Sequence, residues 1–334
     1  MSTLSAINPT LLDLTKRLDP NGKIDMIAEI LNETNEILDD MTWVEGNLPT
    51  GNRTTIRTGI PEPTWRKLYG GVQPTKSTTA QITDDCGMLE DYAEVDKALA
   101  DLNGNTSAFR VSEDRAHIEG MSQKMAETLI YGDSSLYPER FTGLAPRFNS
   151  LTAENADNII LGGSVSGQTD NTSIWLVVWG PNTVHGIYPK GSKVGLQHTD
   201  KGQVTIENVD GANGRMEAYR AHYRWDVGLT VRDWRYIVRI ANIDKSTLTK
   251  NAASGDDLID LMTQAIELLP STGSGRPVFY CSRTVKSFLR RQMVNKVAQS
   301  TLQMDEVAGK KVMTFDGIPV RRVDVLAADE ARLA

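Results

Sequence analysis

The stretch "YGDSSLYPERFTGLAPRFN" at residues 131–149 lies where the pattern of the sequence changes. Upstream of it, apolar residues at helical spacing predict one helix over about 109–131, roughly 30 Å long at 1.5 Å per residue. The members of this apolar stripe are Ile118, Met121, Met125 and Leu129. We expect Ser107 or Ser112 to cap the start of the helix, and Gly132 to end it in the left-handed conformation.

The rest of the stretch returns the chain to a packed core. Phe141 and Leu144 are the apolar residues that can fix it there, and Gly143 between them would permit a close approach of the backbone. The stretch contains no nucleophile paired with a base and no set of metal ligands. It therefore predicts an architectural turn from a long helix into a separate lobe.

The residues before the long helix divide into an arm and a hairpin. Residues 1–50 are mostly polar, with helical spacing of apolar residues at 24–38, and predict an N-terminal arm with a short helix. Residues 51–87 predict an extended hairpin, because 53–60 and 75–82 are rich in Thr and Ile and poor in helix formers. A lone two-stranded hairpin with so little apolar surface is marginal in water, so we expect it to lie on another surface.

The remaining predicted elements indicate a fold that contains both helices and strands. Residues 88–103 have helical spacing and predict a helix, and Ser254 and Asp257 have capping-box spacing at the start of another. The predicted strands are 174–179, 203–209, 223–231 and 236–243, and the later helices are 256–269 and 283–298. Asp316-Gly317 predicts a closing hairpin within 311–325. Because helices and strands do not alternate regularly, the class is α+β.

Composition excludes several kinds of protein. The 334 residues carry a formal net charge of −7, which argues against a surface that grips nucleic acid throughout. No apolar run is long enough to cross a bilayer, and the start of the chain lacks the pattern of a signal peptide. The four histidines and two cysteines do not have metal-ligand spacing, and the glycine-rich segments lack the phosphate-loop pattern. We therefore assign no catalytic, cofactor-binding or metal-binding residues.

Basic and aromatic residues cluster in the predicted hairpin. They are Arg53, Arg57, Trp65, Arg66, Lys67 and Tyr69. Basic residues interleaved with aromatic ones can bind nucleic acid, but Trp, Tyr and Arg are also the residues that dominate protein interfaces. Because the chain as a whole is acidic, we interpret the six residues as candidates for contact with an acidic protein surface.

Three stretches, in this order, resemble the major capsid proteins of tailed bacteriophages, which have the Hong Kong 97-type fold. They are "GIPEPTWRKLYGGVQPTKS" (59–77), "ETLIYGDSSLYPERFTGLAPRF" (127–148) and "MTFDGIPVRRVDVL" (313–326). The first is similar to the hairpin of coat proteins from short-tailed phages, the second to the junction after the spine helix, and the third to the closing strands. The epsilon-fifteen group is the nearest set of relatives that this resemblance suggests.

The resemblance implies a division into peripheral and axial domains. Its segments are 1–50 (N-terminal arm and short helix), 51–87 (extended hairpin loop), 88–160 (peripheral domain with the spine helix), 161–221 (axial domain, first part), 222–250 (peripheral strands), 251–310 (axial domain, second part) and 311–334 (closing peripheral strands).

The same resemblance implies a structural role without catalysis. The subunit would form hexamers and pentamers of an icosahedral head around double-stranded DNA, without sequence-specific binding. Scaffolding and portal proteins, and a decoration protein, would be partners, and assembly would take place in the host cytoplasm. The six basic and aromatic residues of the hairpin would be candidates for an intersubunit contact. The acidic segment 24–45 contains no Lys or Arg and is expected to face the interior or another surface that tolerates acidic residues, without binding DNA. An encapsulin-type nanocompartment shell and a soluble enzyme stay open as alternatives.

Overall fold

A computed structural model describes residues 9, 33–104, 106–165, 167, 169–207, 213–248, 257–295, 302–307, 310–327 and 329–333. Two compact units contain these residues. The larger unit comprises Thr34–Gly87, Glu127–Val194 and Val227–Ala334, and the smaller unit comprises Met1–Glu33, Met88–Ala126 and Gly195–Asp226. The predicted peripheral and axial segments are a different division of the chain and stay a prediction.

The secondary structure mixes helices and strands throughout the described residues. The helices are α1 (Ile37–Asp40), α2 (Lys97–Ala100), α3 (Thr106–Tyr131), α4 (Leu144–Arg147), α5 (Leu258–Glu267) and α6 (Arg283–Asn295). The strands are β1 (Trp43–Glu45), β2 (Gly51–Gly59), β3 (Thr78–Asp96), β4 (Ile159–Leu161), β5 (Asn171–Trp179), β6 (Val184–Tyr188), β7 (Gln197–Glu207), β8 (Arg215–Val231), β9 (Ile237–Asp244), β10 (Arg276–Cys281), β11 (Leu302–Val307), β12 (Lys310–Phe315) and β13 (Ile318–Arg322).

Strand β5 is the centre of the sheet in the larger unit. It pairs antiparallel with β9 and with β10, and β10 pairs parallel with β13. All nine residues of β5 are buried, which fits a strand covered on both faces. One face, with Ile174, Leu176 and Val178, packs into a core that includes residues of α5 and α6.

The C-terminal segment is tied to this sheet by a buried acid. Glu330 accepts hydrogen bonds from Tyr131 at 2.6 Å, Ser173 at 2.6 Å and Arg239 at 2.8 Å. Arg239 and Glu330 are nearly excluded from water, so each charge depends on the other for compensation.

The smaller unit contains most of α3 and the ribbon of β7 and β8. Its small core joins Val95, Ala100 and Phe109. Polar contacts add to it: Tyr223 donates to Asp114 at 2.5 Å, and Arg110 donates to Asp200 at 2.6 Å. These two bonds attach β8 and β7 to the first part of the helix, at positions about one turn apart.

The predicted helix at 88–103 is wrong. The strand β3 continues to Asp96, and only Lys97–Ala100 is helical. Burial alternates along the strand: Ala93 and Val95 are buried, whereas Tyr92 is exposed. The apolar residues at 89, 92 and 95 fit helical spacing. In the structure, however, inward and outward residues alternate with the period of two of a strand.

The turn after α3 is built by close packing. Gly132 is not in the left-handed conformation, so that prediction is wrong. A Cβ on Gly132 would lie 2.4 Å from the carbonyl oxygen of Thr128, and one on Gly143 would lie 2.6 Å from the same oxygen. Phe141 and Leu144 are buried, as predicted. The stretch therefore forms the architectural turn that its sequence indicates.

The elements near the C-terminal end agree more closely with the predictions from the sequence. Asp316 and Gly317 have positive φ angles of 50° and 76°, as the predicted hairpin between β12 and β13 requires. The side chain of Asp257 caps α5 by accepting from the amides of Ile259 and Asp260. Ser254 lies outside the described residues. Residues 24–32 of the helix predicted over 24–38 also lie outside them, and α1 covers just Ile37–Asp40. None of the described helices is both long and apolar enough to span a membrane.

Candidate assembly surface

The predicted hairpin exists and extends from the larger unit. β2 pairs antiparallel with β3, from Gly51 opposite Asp85 to Gly59 opposite Thr78. Between the strands, residues 60–77 have no regular structure apart from a turn at Leu68 and Tyr69. This segment, residues 60–77, is called the tip below.

The tip presents large apolar side chains to water. Trp65 is 102% exposed and Tyr69 104%, while Leu68 and Ile60 are more than four-fifths exposed. Tyr69 has a φ of +64°, a conformation that non-glycine residues seldom adopt. An apolar surface of this kind on a soluble chain typically marks a place where another molecule binds.

The basic candidates fall into two groups. Arg66 and Lys67 are exposed in the tip beside Trp65. Arg53 and Arg57 point to the same side of β2, because they are four residues apart in a strand, and both are exposed. Arg53 contacts Thr83 at 3.4 Å across the ladder. The six predicted residues therefore share the hairpin, with four at its tip and two along one strand.

A surface groove of about 600 Å³ lies beside β2 in the larger unit. Arg57 and Ile60 contribute to one wall, and Arg232, Trp234 and Arg235 to the other. Arg235 is held by Asp233, to which it donates at 2.7 Å and 2.9 Å. No local pattern in the sequence indicates this groove, because its lining includes Arg57 and Arg232, which are 175 residues apart.

The root of the hairpin is polar and closely packed. Asp84 on β3 accepts from Arg147 at 2.8 Å, and the Asp84 side chain is only 4% exposed. A Cβ on Gly51 would lie 2.1 Å from the carbonyl oxygen of Asp84. No local pattern in the sequence indicates this pair, because Arg147 lies 63 residues away from Asp84.

Two acids in the described part of the acidic segment 24–45 form contacts within the fold. Asp40 is buried, accepts from the hydroxyl of Tyr280 at 3.1 Å and lies 3.3 Å from Arg321. Burial raises the pKa of Asp40 despite the nearby Arg321 guanidinium. Glu36 also binds Arg321, at 3.2 Å. These two acids therefore do not belong to a freely solvated acidic wall, and residues 24–32 lie outside the described range.

Reactive chemistry is not apparent in the described part of the chain. No group of three or more His, Cys, Asp or Glu side chains there could hold a metal ion. Cys281 is buried, and burial raises the pKa of its thiol to about 12, so the reactive thiolate is scarce at neutral pH. His117 on α3 contacts Asp91 through its Nδ1 at 2.5 Å.

Comparisons with known proteins settle the family. The family model described as major capsid protein GP7 matches residues 19–334. The chain belongs to this family of major capsid proteins. No curated protein sequence matches it.

Solved structures agree with this assignment. The bacteriophage epsilon15 structure is 41% identical to the chain, covers 100% of both chains and has a TM-score of 0.79. The bacteriophage JBD30 capsid is 10% identical, with coverage of 96% and 99% and a TM-score of 0.47. The SrpI encapsulin complex from Synechococcus elongatus is 13% identical, with coverage of 73% and 93% and a TM-score of 0.38. The last two scores are too low to support an argument about this chain.

The capsid protein is thus a structural subunit that forms a shell, and it is part of the virion. Its fold is the mixed Hong Kong 97-type capsid fold, as the three sequence stretches indicated. The family assignment identifies a structural protein and not an enzyme. The alternative of an encapsulin shell has only the distant match just described.

Proposed function

We propose that this capsid protein forms the hexamers and pentamers of an icosahedral head around double-stranded DNA, and that the hairpin tip is an intersubunit contact. The complete exposure of Trp65 is the observation that carries the second part. Scaffolding, portal and decoration proteins as partners, and assembly in the host cytoplasm, belong to the same proposal. So does the division into peripheral and axial domains.

The tip is suited to a protein partner by its composition. Trp65, Leu68 and Tyr69 together expose a large apolar area to water, and this exposure does not stabilise the isolated subunit. Burial of apolar surface contributes about 25 cal/mol per Å², so covering these side chains would offset the cost of ordering the tip. A large rigid aromatic side chain such as Trp65 is the best anchor, because little conformational entropy is lost when it is buried.

The charges of the tip and of the whole chain support a neighbouring subunit as that partner. Arg66 and Lys67 flank Trp65, whereas the chain has a net charge of −7. A second copy therefore offers an acidic surface to a basic tip. Exposed ion pairs of this kind contribute little affinity, but they favour one register over another.

The replacement Trp65→Ala tests the intersubunit contact. We expect it to weaken each contact by about 2 kcal/mol, the size of an interface hot spot, and to block or destabilise shells. Because Trp65 is fully exposed, the melting temperature of the unassembled subunit should not change. Electron microscopy and the heat resistance of assembled particles give the readout.

Two variants serve as controls. Trp65→Phe keeps an aromatic anchor and should retain most of the assembly. Leu136→Ala removes an exposed apolar side chain, 71% accessible, outside the hairpin. Shells of normal number and heat resistance from Trp65→Ala would show that Trp65 is not an intersubunit anchor.

A further inference from the structure

The hairpin has almost no apolar support of its own. Among residues 51–87, all of which the structure describes, only Gly51, Thr54 and Asp84 are buried. None of these three has a large apolar side chain, so hydrophobic packing cannot fix the direction of the hairpin. Asp84 is the one charged residue among the three. A polar contact of Asp84 can therefore set the orientation of the hairpin.

Arg147 reaches Asp84 from the turn after the long helix. One terminal nitrogen of its guanidinium lies 2.8 Å from Oδ1 of Asp84, 3.2 Å from the carbonyl oxygen of Leu229 and 3.3 Å from that of Thr142. These acceptors belong to β3, to β8 and to the returning turn. A single side chain thus joins the hairpin to two other segments of the larger unit.

Backbone packing beside this contact leaves little freedom for adjustment. A Cβ on Gly51 would lie 2.1 Å from the carbonyl oxygen of Asp84, and a Cβ on Gly228 would lie 2.6 Å from that of Asp85. The carbonyl of Thr50 accepts from the amide of Cys86 at 2.8 Å, which closes the ladder at its root. A small shift of Asp84 would therefore disturb the root, and a small rotation there moves the distant tip by many ångströms.

We infer that Arg147 is a positioning residue that fixes the root of the hairpin and so aims the tip at the neighbouring subunit. The second half of this inference rests on the proposed function of the tip. The first half concerns the isolated subunit alone. The turn after the long helix then has two structural roles. It returns the chain to the core, and through Arg147 it fixes the root of the hairpin.

Hydrogen exchange in the unassembled subunit tests the first half. In Arg147→Met, we expect the amide of Cys86 and its neighbours at the root to exchange about tenfold faster or more, because Asp84 loses its buried partner. Amides of the central strand β5 should keep their protection. Arg140→Met is the matched control: Arg140 lies in the same turn but stacks on Tyr137, with 4.5 Å between guanidinium and ring centroid. It should leave the root unchanged.

A milder variant keeps the test decisive if Arg147→Met does not fold. In Arg147→Lys, the ammonium keeps the positive charge but lies closer to the backbone than the terminal guanidinium nitrogen, so it reaches the three acceptors less well and root exchange should rise by a smaller factor. Unchanged root exchange in the variant that folds would overturn the inference.

Assembly of the same variants tests the second half. We expect folded Arg147 variants to give fewer closed shells and more irregular ones. If Trp65→Ala assembles normally while the Arg147 variants loosen the root, the proposed contact at the tip fails and the role of Arg147 at the root stands. If the root loosens and shells stay normal, the role of Arg147 in aiming the tip is overturned.

Discussion

At the scale of single residues, buried acids paired with arginine recur through the larger unit. Asp324 shows the electrostatics clearly. It accepts from Arg322 at 2.6 Å, from Arg283 at 3.0 Å and from the amide of Thr34 at 3.1 Å. Burial alone would raise the pKa of Asp324, but these hydrogen bonds outweigh it and hold the pKa well below its usual range. Such a carboxylate stabilises the fold only while it is charged.

Asp324→Asn should therefore destabilise the subunit in a pH-dependent manner. We expect a loss of about 2 kcal/mol at pH 7, typical of hydrogen bonds to a charged group. The lowered pKa means that this stability is present above the unfolded value near 3.9 and is lost as the pH falls further toward the folded value. The difference in melting temperature between the variant and the wild type should accordingly be largest at neutral pH and shrink below about pH 4.

Asp316→Asn is the matched control for this measurement. Asp316 is exposed in the nearby turn, and Asn suits its positive φ equally well. Its melting temperature should follow that of the wild type at both pH values. A constant difference between Asp324→Asn and the wild type from pH 7 to pH 3 would contradict the electrostatic explanation.

At the scale of elements, the end of the long helix α3 depends on glycines with no space around them. A Cβ on Gly143 would meet the carbonyl oxygens of Thr128, Leu129 and Ile130 at 2.6, 2.7 and 3.0 Å. All three are backbone atoms, which cannot move away as the end of a flexible side chain can. The turn therefore fits against the helix only without a side chain at this position.

Gly143→Ala should destabilise the subunit by about 2 kcal/mol or more, as overpacking of rigid atoms does. Gly120→Ala within α3 should act in the opposite direction, because a Cβ there meets nothing within 4 Å. That change should stabilise the helix by roughly 0.5–1 kcal/mol. Chemical denaturation of both variants measures the two effects, and a Gly143→Ala variant as stable as the wild type would refute the packing argument.

The sequence predicts elements well where local chemistry decides them. The helix α3 and the turn at Asp316-Gly317 have signals within a few residues, and both are confirmed. Of the apolar stripe predicted for α3, Met121, Met125 and Leu129 are buried, whereas Ile118 is 40% exposed. β6 and β10 were not predicted, because short buried strands lack a distinctive period and depend on their neighbours in the sheet. β3 was partly mistaken for a helix, since its few apolar residues fit both periods.

The residues of the hairpin surface could likewise be predicted only where the signal is local. The basic and aromatic residues of the hairpin were found from composition, and the structure confirms their exposure. Arg147 was missed, because its importance arises from Asp84, 63 positions earlier. Contacts between distant segments leave no local pattern in one sequence.

At the scale of the whole molecule, many of the arginines that the structure describes pair with carboxylates within the fold. Buried or half-buried pairs engage Arg147 with Asp84, Arg239 with Glu330 and Arg321 with Glu36. Such cations are held by carboxylates and are not free to bind phosphates. In the proposed head, these paired arginines would therefore not hold the enclosed DNA by its phosphates.

The free subunit should accordingly bind duplex DNA weakly. At about 150 mM salt we expect a Kd weaker than roughly 1 µM, because affinity for DNA rests mainly on Lys and Arg contacts to phosphate and the chain has a net charge of −7. Fluorescence anisotropy with a labelled duplex, repeated at several salt concentrations, measures it. The double variant Arg66→Ala/Lys67→Ala distinguishes the two interpretations of the tip. Submicromolar binding that this variant abolishes would make the tip a nucleic-acid contact, whereas weak binding by both proteins leaves the neighbouring subunit as its partner.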